Sequence, residues 1–282
     1  MKAAQTTYHK ANTLEDAIRL ATRLEGTAKY MAGGQSLMPM MNLRLATPGA
    51  VIDISGIAAL RESKAVDGKL FIGAGVTHAM IEDGEAEEPV QAYLRNVAGS
   101  IAYRSVRNKG TIGGTLAHAD PAGDWPTAIL ALGGTAVIYG VQGVRNVPIS
   151  DFQLGLMETC LGETDILQGV LLPQLSAGAR WGYTKFCHKV GEFAHSICAV
   201  VLDPRLGLAN AVVGAAGNKP VVLPAVSSRL AAGMSFNDLS GNEFATLVER
   251  DLADVTDHER SSYEFHLHKT IITRAVTEAL KK

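Results

Sequence analysis

Two stretches of the chain set glycine pairs beside residues able to hold an anion. The longer is Thr111-Ile-Gly-Gly-Thr-Leu-Ala-His-Ala-Asp-Pro-Ala-Gly-Asp-Trp-Pro126, where Gly113 and Gly114 fall between an expected strand end and a segment closing on two carboxylates, two prolines and an apolar run. The other, far upstream, is Ala32-Gly-Gly-Gln-Ser-Leu-Met-Pro39, again following a short apolar stretch. Without a Cβ, glycine lets backbone N–H groups come against a ligand. Amides of Gly33, Gly34, Gly113 and Gly114 would form anion-binding concavities, with Ser36, Thr111 and Thr115 adding hydroxyl donors. A pyrophosphate suits two such loops converging on one ligand. Asp124 would repel phosphate but accept hydrogen bonds from sugar or ribityl hydroxyls. Together they describe a dinucleotide with polyol character. The competing reading is that both stretches are tight turns and that Asp120 and Asp124 cap the following helix.

Other chemistries find less support. The three cysteines, Cys160, Cys187 and Cys198, lie 27 and 11 positions apart and make no CxxC pair. An iron–sulfur cluster needs four closely spaced thiolates, so none is expected in this chain, and the cysteines read as small buried apolar groups. His266 and His268, two apart in a helical tail, point away from each other and read as surface residues, so no metal ligand set is expected. His118, Asp120 and a serine would make a triad on paper, but the sequence has no GxSxG elbow.

The 282 residues are enough for two domains or two lobes, and a hydrophobic share of 47% is that of a globular protein. A net charge of −2 offers no basic field for nucleic acid. No apolar run approaches the ~20 residues that span a bilayer, and the amino terminus lacks the apolar core of a signal peptide. A cytoplasmic location is expected.

The elements that must carry the two stretches can be read in order. Thr13-Leu-Glu-Asp16 resembles a capping box, with Leu14, Ala17, Ile18, Ala21 and Leu24 on one helical face and Gly26 as the stop. Strands over 29–32 and 50–54 complete a small βαβ-like lobe. Gly73-Ala-Gly75 follows an apolar strand, as a dinucleotide fingerprint would, but its third glycine position holds His78. Asp67-Gly68 just upstream predicts an antiparallel hairpin instead. Pro89 opens a helix to 97, a polar loop covers 105–110, and a further helix runs over 125–132. Strands follow over 135–139 and 144–147, joined at Gln142-Gly143, and over 165–172. Residues 173–178 have the composition of a linker and mark the expected domain boundary. Strands over 181–186, 197–202 and 208–213 then form a hairpin-rich sheet, covered by a closing helix over 261–280. The class is α+β.

The two glycine stretches, with Asn42-Leu-Arg-Leu45, Asp120-Pro121 and Asp124, resemble the FAD-binding medium subunit of molybdenum hydroxylases. That group includes the medium subunit of aerobic carbon monoxide dehydrogenase and the FAD domain of xanthine dehydrogenase. The resemblance continues through Asp165-Ile-Leu167, Tyr183-Thr-Lys185, Lys189-Val-Gly-Glu-Phe193 and the closing helix. It implies a two-lobed FAD-binding domain of the vanillyl-alcohol-oxidase (PCMH) type over 1–175, with lobes 1–55 and 56–175, then a smaller α+β domain over 178–282.

Site roles follow from the resemblance alone. Ala32, Gly33, Gly34, Gln35, Ser36 and Leu37 match the first FAD loop, and Thr111, Ile112, Gly113, Gly114 and Thr115 the second. Relatives often have Asn or Ser at position 115, so Thr115 keeps a donor there. Asp124 matches a carboxylate that contacts FAD, Ile166 and Leu167 match apolar residues beside it, and Lys185 matches a nearby lysine. Phe193 falls near an aromatic that some relatives place by the flavin, ordinary core being the other reading. The implied partners are a small subunit with two [2Fe–2S] clusters and a large subunit with the molybdenum cofactor, in a dimer of heterotrimers. No side chain of this chain is then catalytic. The alternatives are a self-sufficient flavin reductase of the same superfamily and a non-redox nucleotide-binding interaction subunit. The substrate would be decided in another chain.

Overall fold

The computed structural model describes residues 2–84 and 88–281. It opens with strand β1 (Thr7–Lys10), helix α1 (Leu14–Arg23), strand β2 (Ala28–Met31), helix α2 (Leu37–Asn42) and strand β3 (Ala50–Asp53). Thr13 Oγ1 accepts from the Asp16 amide at 3.1 Å and caps α1, but Asp16 Oδ2 accepts from the Asn12 amide rather than from Thr13, so of the expected capping box the N-cap half forms. The strands pair in parallel in the order β1-β3-β2, a pairing that requires crossovers such as α1 and α2.

A second sheet is antiparallel throughout. Strands β4 (Ser63–Val66) and β5 (Lys69–Gly73) form the expected hairpin. Asp67 and Gly68 both have positive φ, 49° and 72°, as a two-residue turn of this kind demands. After β5 come helices α3 (His78–Glu82), α4 (Pro89–Ser100), α5 (Arg104–Arg107), α6 (Ile112–His118) and α7 (Asp124–Ala131). Strands β6 (Thr135–Gly140), β7 (Gly143–Pro148), β8 (Gln153–Gly155), β9 (Glu158–Thr159) and β10 (Ile166–Pro173) follow. The sheet order is β4-β5-β10-β6-β7, and β8 and β9 form a separate hairpin. Two expectations change here. The segment 105–110, read as a loop, contains most of α5, and the second glycine pair lies in the first turn of α6.

The third sheet has the order β11-β12-β13-β14, from β11 (Arg180–Phe186), β12 (Ser196–Asp203), β13 (Leu208–Gly214) and β14 (Val221–Val222). Helices α8 (Pro224–Ala231), α9 (Asn242–Ala253) and α10 (Tyr263–Lys281) close the chain. Every residue of β12 is buried, and its alternation divides two cores. Ile197, Ala199 and Val201 join the core that runs through the first two sheets and α7. Cys198, Val200 and Leu202 face the other, made with α8, α9 and α10. A strand covered on both faces reads as a continuous apolar run rather than an alternation. The segment before β11 is strapped down, with the Ser176 amide and hydroxyl on Asp203 at 2.6 and 2.8 Å. His268, expected on the surface, is buried against Ser196 Oγ at 2.8 Å. Of the cysteines, Cys198 is buried, whereas Cys160 and Cys187 are half-buried.

Candidate cofactor-binding site

The first glycine stretch leaves β2 at Met31 and turns into α2 at Leu37. Gly34 has a φ of +69°, which glycine adopts without strain. A Cβ on Gly33 would lie 1.9 Å from the Lys109 carbonyl oxygen and 3.0 Å from Gly110 Cα. The two stretches therefore converge, as the sequence predicts, at the point where one backbone leans on the other. Among the described residues, the amides of Gly33, Gly34, Gln35 and Ser36 donate to no protein acceptor. The carbonyls of Gly34 and Ser36 already accept from Met38 and Met40, and the Gln35 side-chain amide donates to Gly33 O at 3.2 Å. What remains open is a run of donors.

The second stretch is built differently. Thr111 is the N-cap of α6, its Oγ1 accepting from the Gly114 amide at 2.9 Å. The Ile112 amide donates to Val76 O, that of Gly113 to Ala74 O at 3.0 Å, and that of Thr115 to Thr111 O. The expectation that Gly113 and Gly114 free their N–H groups is therefore corrected, since each has a protein acceptor. Gly113 is glycine for another reason: a Cβ there would stand 2.2 Å from Ala74 Cβ. The Thr115 hydroxyl donates back to Thr111 O at 3.3 Å.

Asp124 begins α7, but its side chain is no helix cap. Its Oδ1 accepts from Tyr183 Oη at 2.5 Å and Lys185 Nζ at 2.6 Å, with Ser100 Oγ 3.4 Å away. Both partners of the ion pair are mostly buried. Among the described residues Oδ2 has no donor, so one carboxylate oxygen is fixed and the other is available. Burial first, then the neighbouring Asp124 carboxylate, pushes the Tyr183 phenol well up, so it stays a donor. The next residue, Trp125, donates from Nε1 to Nδ1 of buried His78 at 3.0 Å. The His78 amide donates to Gly110 O, which carries the contact on to Gly33. Helix α7 and both glycine stretches thus meet around one ring.

The model for the FAD binding domain in molybdopterin dehydrogenase matches residues 3–175. This chain belongs to the FAD-binding medium subunits of molybdenum hydroxylases. The medium subunit is 32% identical to the nicotine 6-hydroxylase medium subunit of Paenarthrobacter nicotinovorans, over 99% of each chain. It is 36% identical to the carbon monoxide dehydrogenase medium chain of Hydrogenophaga pseudoflava, over 69% of this chain and 68% of that one. It also superposes on a chain of reconstituted CO dehydrogenase from Oligotropha carboxidovorans with a TM-score of 0.90, at 27% identity, covering 100% of this chain and 99% of that one.

FAD is the cofactor of this family, and the residues present fit it. Open amides from Gly33 to Ser36 match the acceptor oxygens of a pyrophosphate, and Asp124 Oδ2 matches a donor hydroxyl. The remaining predicted residues of the medium subunit divide. Lys185 joins Asp124, while Ile166 and Leu167 are core residues, 2% and 5% exposed, and present no side chain to solvent. Phe193 is 56% exposed on the turn between β11 and β12, which removes the ordinary-core reading. Tyr103 Oη holds that turn by donating to Val190 O at 2.6 Å. Sequence reasoning assigned no role to Tyr183, Ser100 or His78. The spacing of Tyr183 and Lys185, two apart on one strand and hence on one face, was the signal for the first. Among the described residues no three His, Cys, Asp or Glu side chains are arranged to hold a metal, and no helix is long and apolar enough to cross a membrane.

Proposed function

We propose that the medium subunit holds FAD between segments 32–37 and 111–115 and relays electrons from a partner's iron–sulfur clusters to an external acceptor. The observation that carries this reading is the run of open amides from Gly33 to Ser36, seated on the backbone that leads into Thr111. These amides and the Ser36 hydroxyl donate to phosphate oxygens. Asp124 accepts a cofactor hydroxyl through Oδ2, while Tyr183 and Lys185 hold Oδ1 and keep the carboxylate in place. Ile112, Gly113, Gly114 and Thr115 shape the second wall by packing rather than by donating amides. Ile166 and Leu167 back the site from the core, and Phe193 offers an exposed ring face for stacking. When bound, FAD supplies the capacity to take electrons singly and release them in pairs.

The site belongs, in this reading, to a PCMH-type domain over 1–175 with lobes 1–55 and 56–175, followed by an α+β domain over 178–282. The partners are a small [2Fe–2S] subunit and a large molybdenum subunit, assembled as a dimer of heterotrimers in the cytoplasm. Names of the relatives, medium subunits or chains of dehydrogenases and a hydroxylase, support that division of labour. The test is anaerobic flavin bleaching. The purified chain should take up stoichiometric FAD without iron or molybdenum, and candidate substrates should bleach the flavin only once both partners are added. Bleaching by an organic substrate in the isolated chain, or no FAD uptake at all, overturns the relay.

A further inference from the structure

His78 is left without a task by the site as described, although it sits where α7 and both glycine segments meet. What it can offer is decided by its neighbours. An indole N–H can only donate, so the 3.0 Å contact from Trp125 Nε1 makes His78 Nδ1 the acceptor. In the neutral ring the proton must then lie on Nε2. The ring is neutral at ordinary pH, because burial outweighs the pull of Asp124 and brings its pKa down to about 4. Among the described residues no protein group accepts from Nε2. The sealed polar side-chain atoms without partners are Thr127 Oγ1, Gln153 Oε1 and Gln174 Oε1. Nε2 is not one of them, although His78 as a whole is only 3% exposed, so this nitrogen is not sealed.

The neighbour of Nε2 is Gly110. A Cβ on Gly110 would stand 2.7 Å from Nε2 and cover it, and Gly33 packs against the Lys109 carbonyl and Gly110 Cα beside it. The absence of a side chain at 110 thus keeps the donor uncovered beside the open amides of the first loop.

We propose that His78 is an FAD-binding residue whose Nε2–H donates to an acceptor oxygen of the bound cofactor at the junction of the two glycine segments, with Trp125 as the positioning residue that fixes its tautomer. The inference rests on the FAD site proposed above and adds to it a neutral donor from α3. Neutrality matters, because an imidazolium would compete with Lys185 for Asp124.

Two measurements on the full chain test it. FAD titration of apoprotein should show His78→Phe, which keeps an aromatic ring but has no N–H, weakening binding by about ten-fold, as expected for one lost hydrogen bond. His78→Gln, which keeps a donor near Nε2, should recover most of that loss. Nitrogen-15 NMR of the wild-type imidazoles should show the Nε2–H tautomer at position 78, with slowed Nε2–H exchange on adding FAD. The NMR result decides the matter even where His78→Phe fails to fold. An Nδ1–H tautomer, an Nε2–H signal indifferent to FAD, or wild-type affinity in a folded His78→Phe protein overturns the inference alone. Wild-type apoprotein that takes up no FAD overturns the cofactor site and this inference with it.

Discussion

Segments 32–37 and 111–115 each set a glycine pair after an apolar stretch, yet they solve opposite problems. In the first, the amides of Gly33 through Ser36 are left open, while the carbonyls of Gly34 and Ser36 are spent on α2. In the second, the amides of Ile112, Gly113, Gly114 and Thr115 all have protein acceptors, and Gly113 lets α6 press against Ala74. One pair presents donors. Both also use a missing side chain for close approach, Gly33 to the Lys109 carbonyl and Gly113 to Ala74, but the second pair presents no donor. A glycine pair in a sequence therefore says that something comes close, and only the fold says whether that is ligand or protein.

The sharpest way to break this comparison is to add a methyl group to each segment. In Gly113→Ala the new Cβ would meet Ala74 Cβ at 2.2 Å and Ala74 Cα at 2.6 Å, with backbone on both sides and no room to yield. We expect the apoprotein to lose more than about 3 kcal/mol of stability in chemical denaturation, the upper range for overpacking. Gly33→Ala also meets backbone, the Lys109 carbonyl oxygen at 1.9 Å and its carbon at 2.6 Å, so it should cost about as much stability. There the loss comes with displaced donor amides, so FAD affinity should fall beyond what the lost stability explains. A Gly113→Ala protein as stable as wild type yet unable to hold FAD would erase the distinction.

Much of this arrangement is legible in the sequence, for reasons that can be stated residue by residue. Helix α1 is marked by Thr13 and an apolar stripe, and the β4–β5 hairpin by Asp67-Gly68, because both signals are local. The first turn of α6 was not legible, since two glycines argue against a helix and the contact with Ala74 that favours it lies in β5's following segment. His268 was misread because its partner Ser196 is 72 residues away. At the site, Asp124 stands out as a carboxylate after a glycine segment, but its bond to Tyr183 joins residues 59 apart, and no spacing rule reaches that far. Lys185 entered through family resemblance, and its pairing with Asp124 came from the fold.

Asp124 extends the comparison, because it serves both protein and cofactor with different oxygens. Asp124→Ala strands the mostly buried Lys185 ammonium and the Tyr183 hydroxyl, so the variant should lose about 3 kcal/mol of stability besides binding FAD more weakly. Removing the charge left behind, in Asp124→Ala with Lys185→Met, should restore part of the stability but none of the affinity. Denaturation midpoints and FAD titrations of the single and double variants separate the two. Full stability in Asp124→Ala would mean that Oδ1 and its ion pair hold nothing in place.

The smallest expected effects come from the two hydroxyls, and they divide along the same line. Thr111 Oγ1 accepts from the Gly114 amide, so Thr111→Val, which keeps the branched shape and loses the oxygen, should cost about 1 kcal/mol of stability, the value of a helix N-cap. Its effect on FAD should be slight, because that oxygen is already engaged. Ser36 precedes α2 without a side-chain cap bond, and among the described residues its hydroxyl has no protein partner. Ser36→Ala should leave the denaturation curve of the apoprotein unchanged and raise the FAD dissociation constant a few-fold, the share of one neutral hydrogen bond. Measuring both quantities on both variants gives four numbers with a fixed pattern: stability lost only at 111 and affinity lost mainly at 36. The reverse pattern would mean that the second segment, not the first, presents the donors, and that the open amides from Gly33 to Ser36 serve something other than the cofactor.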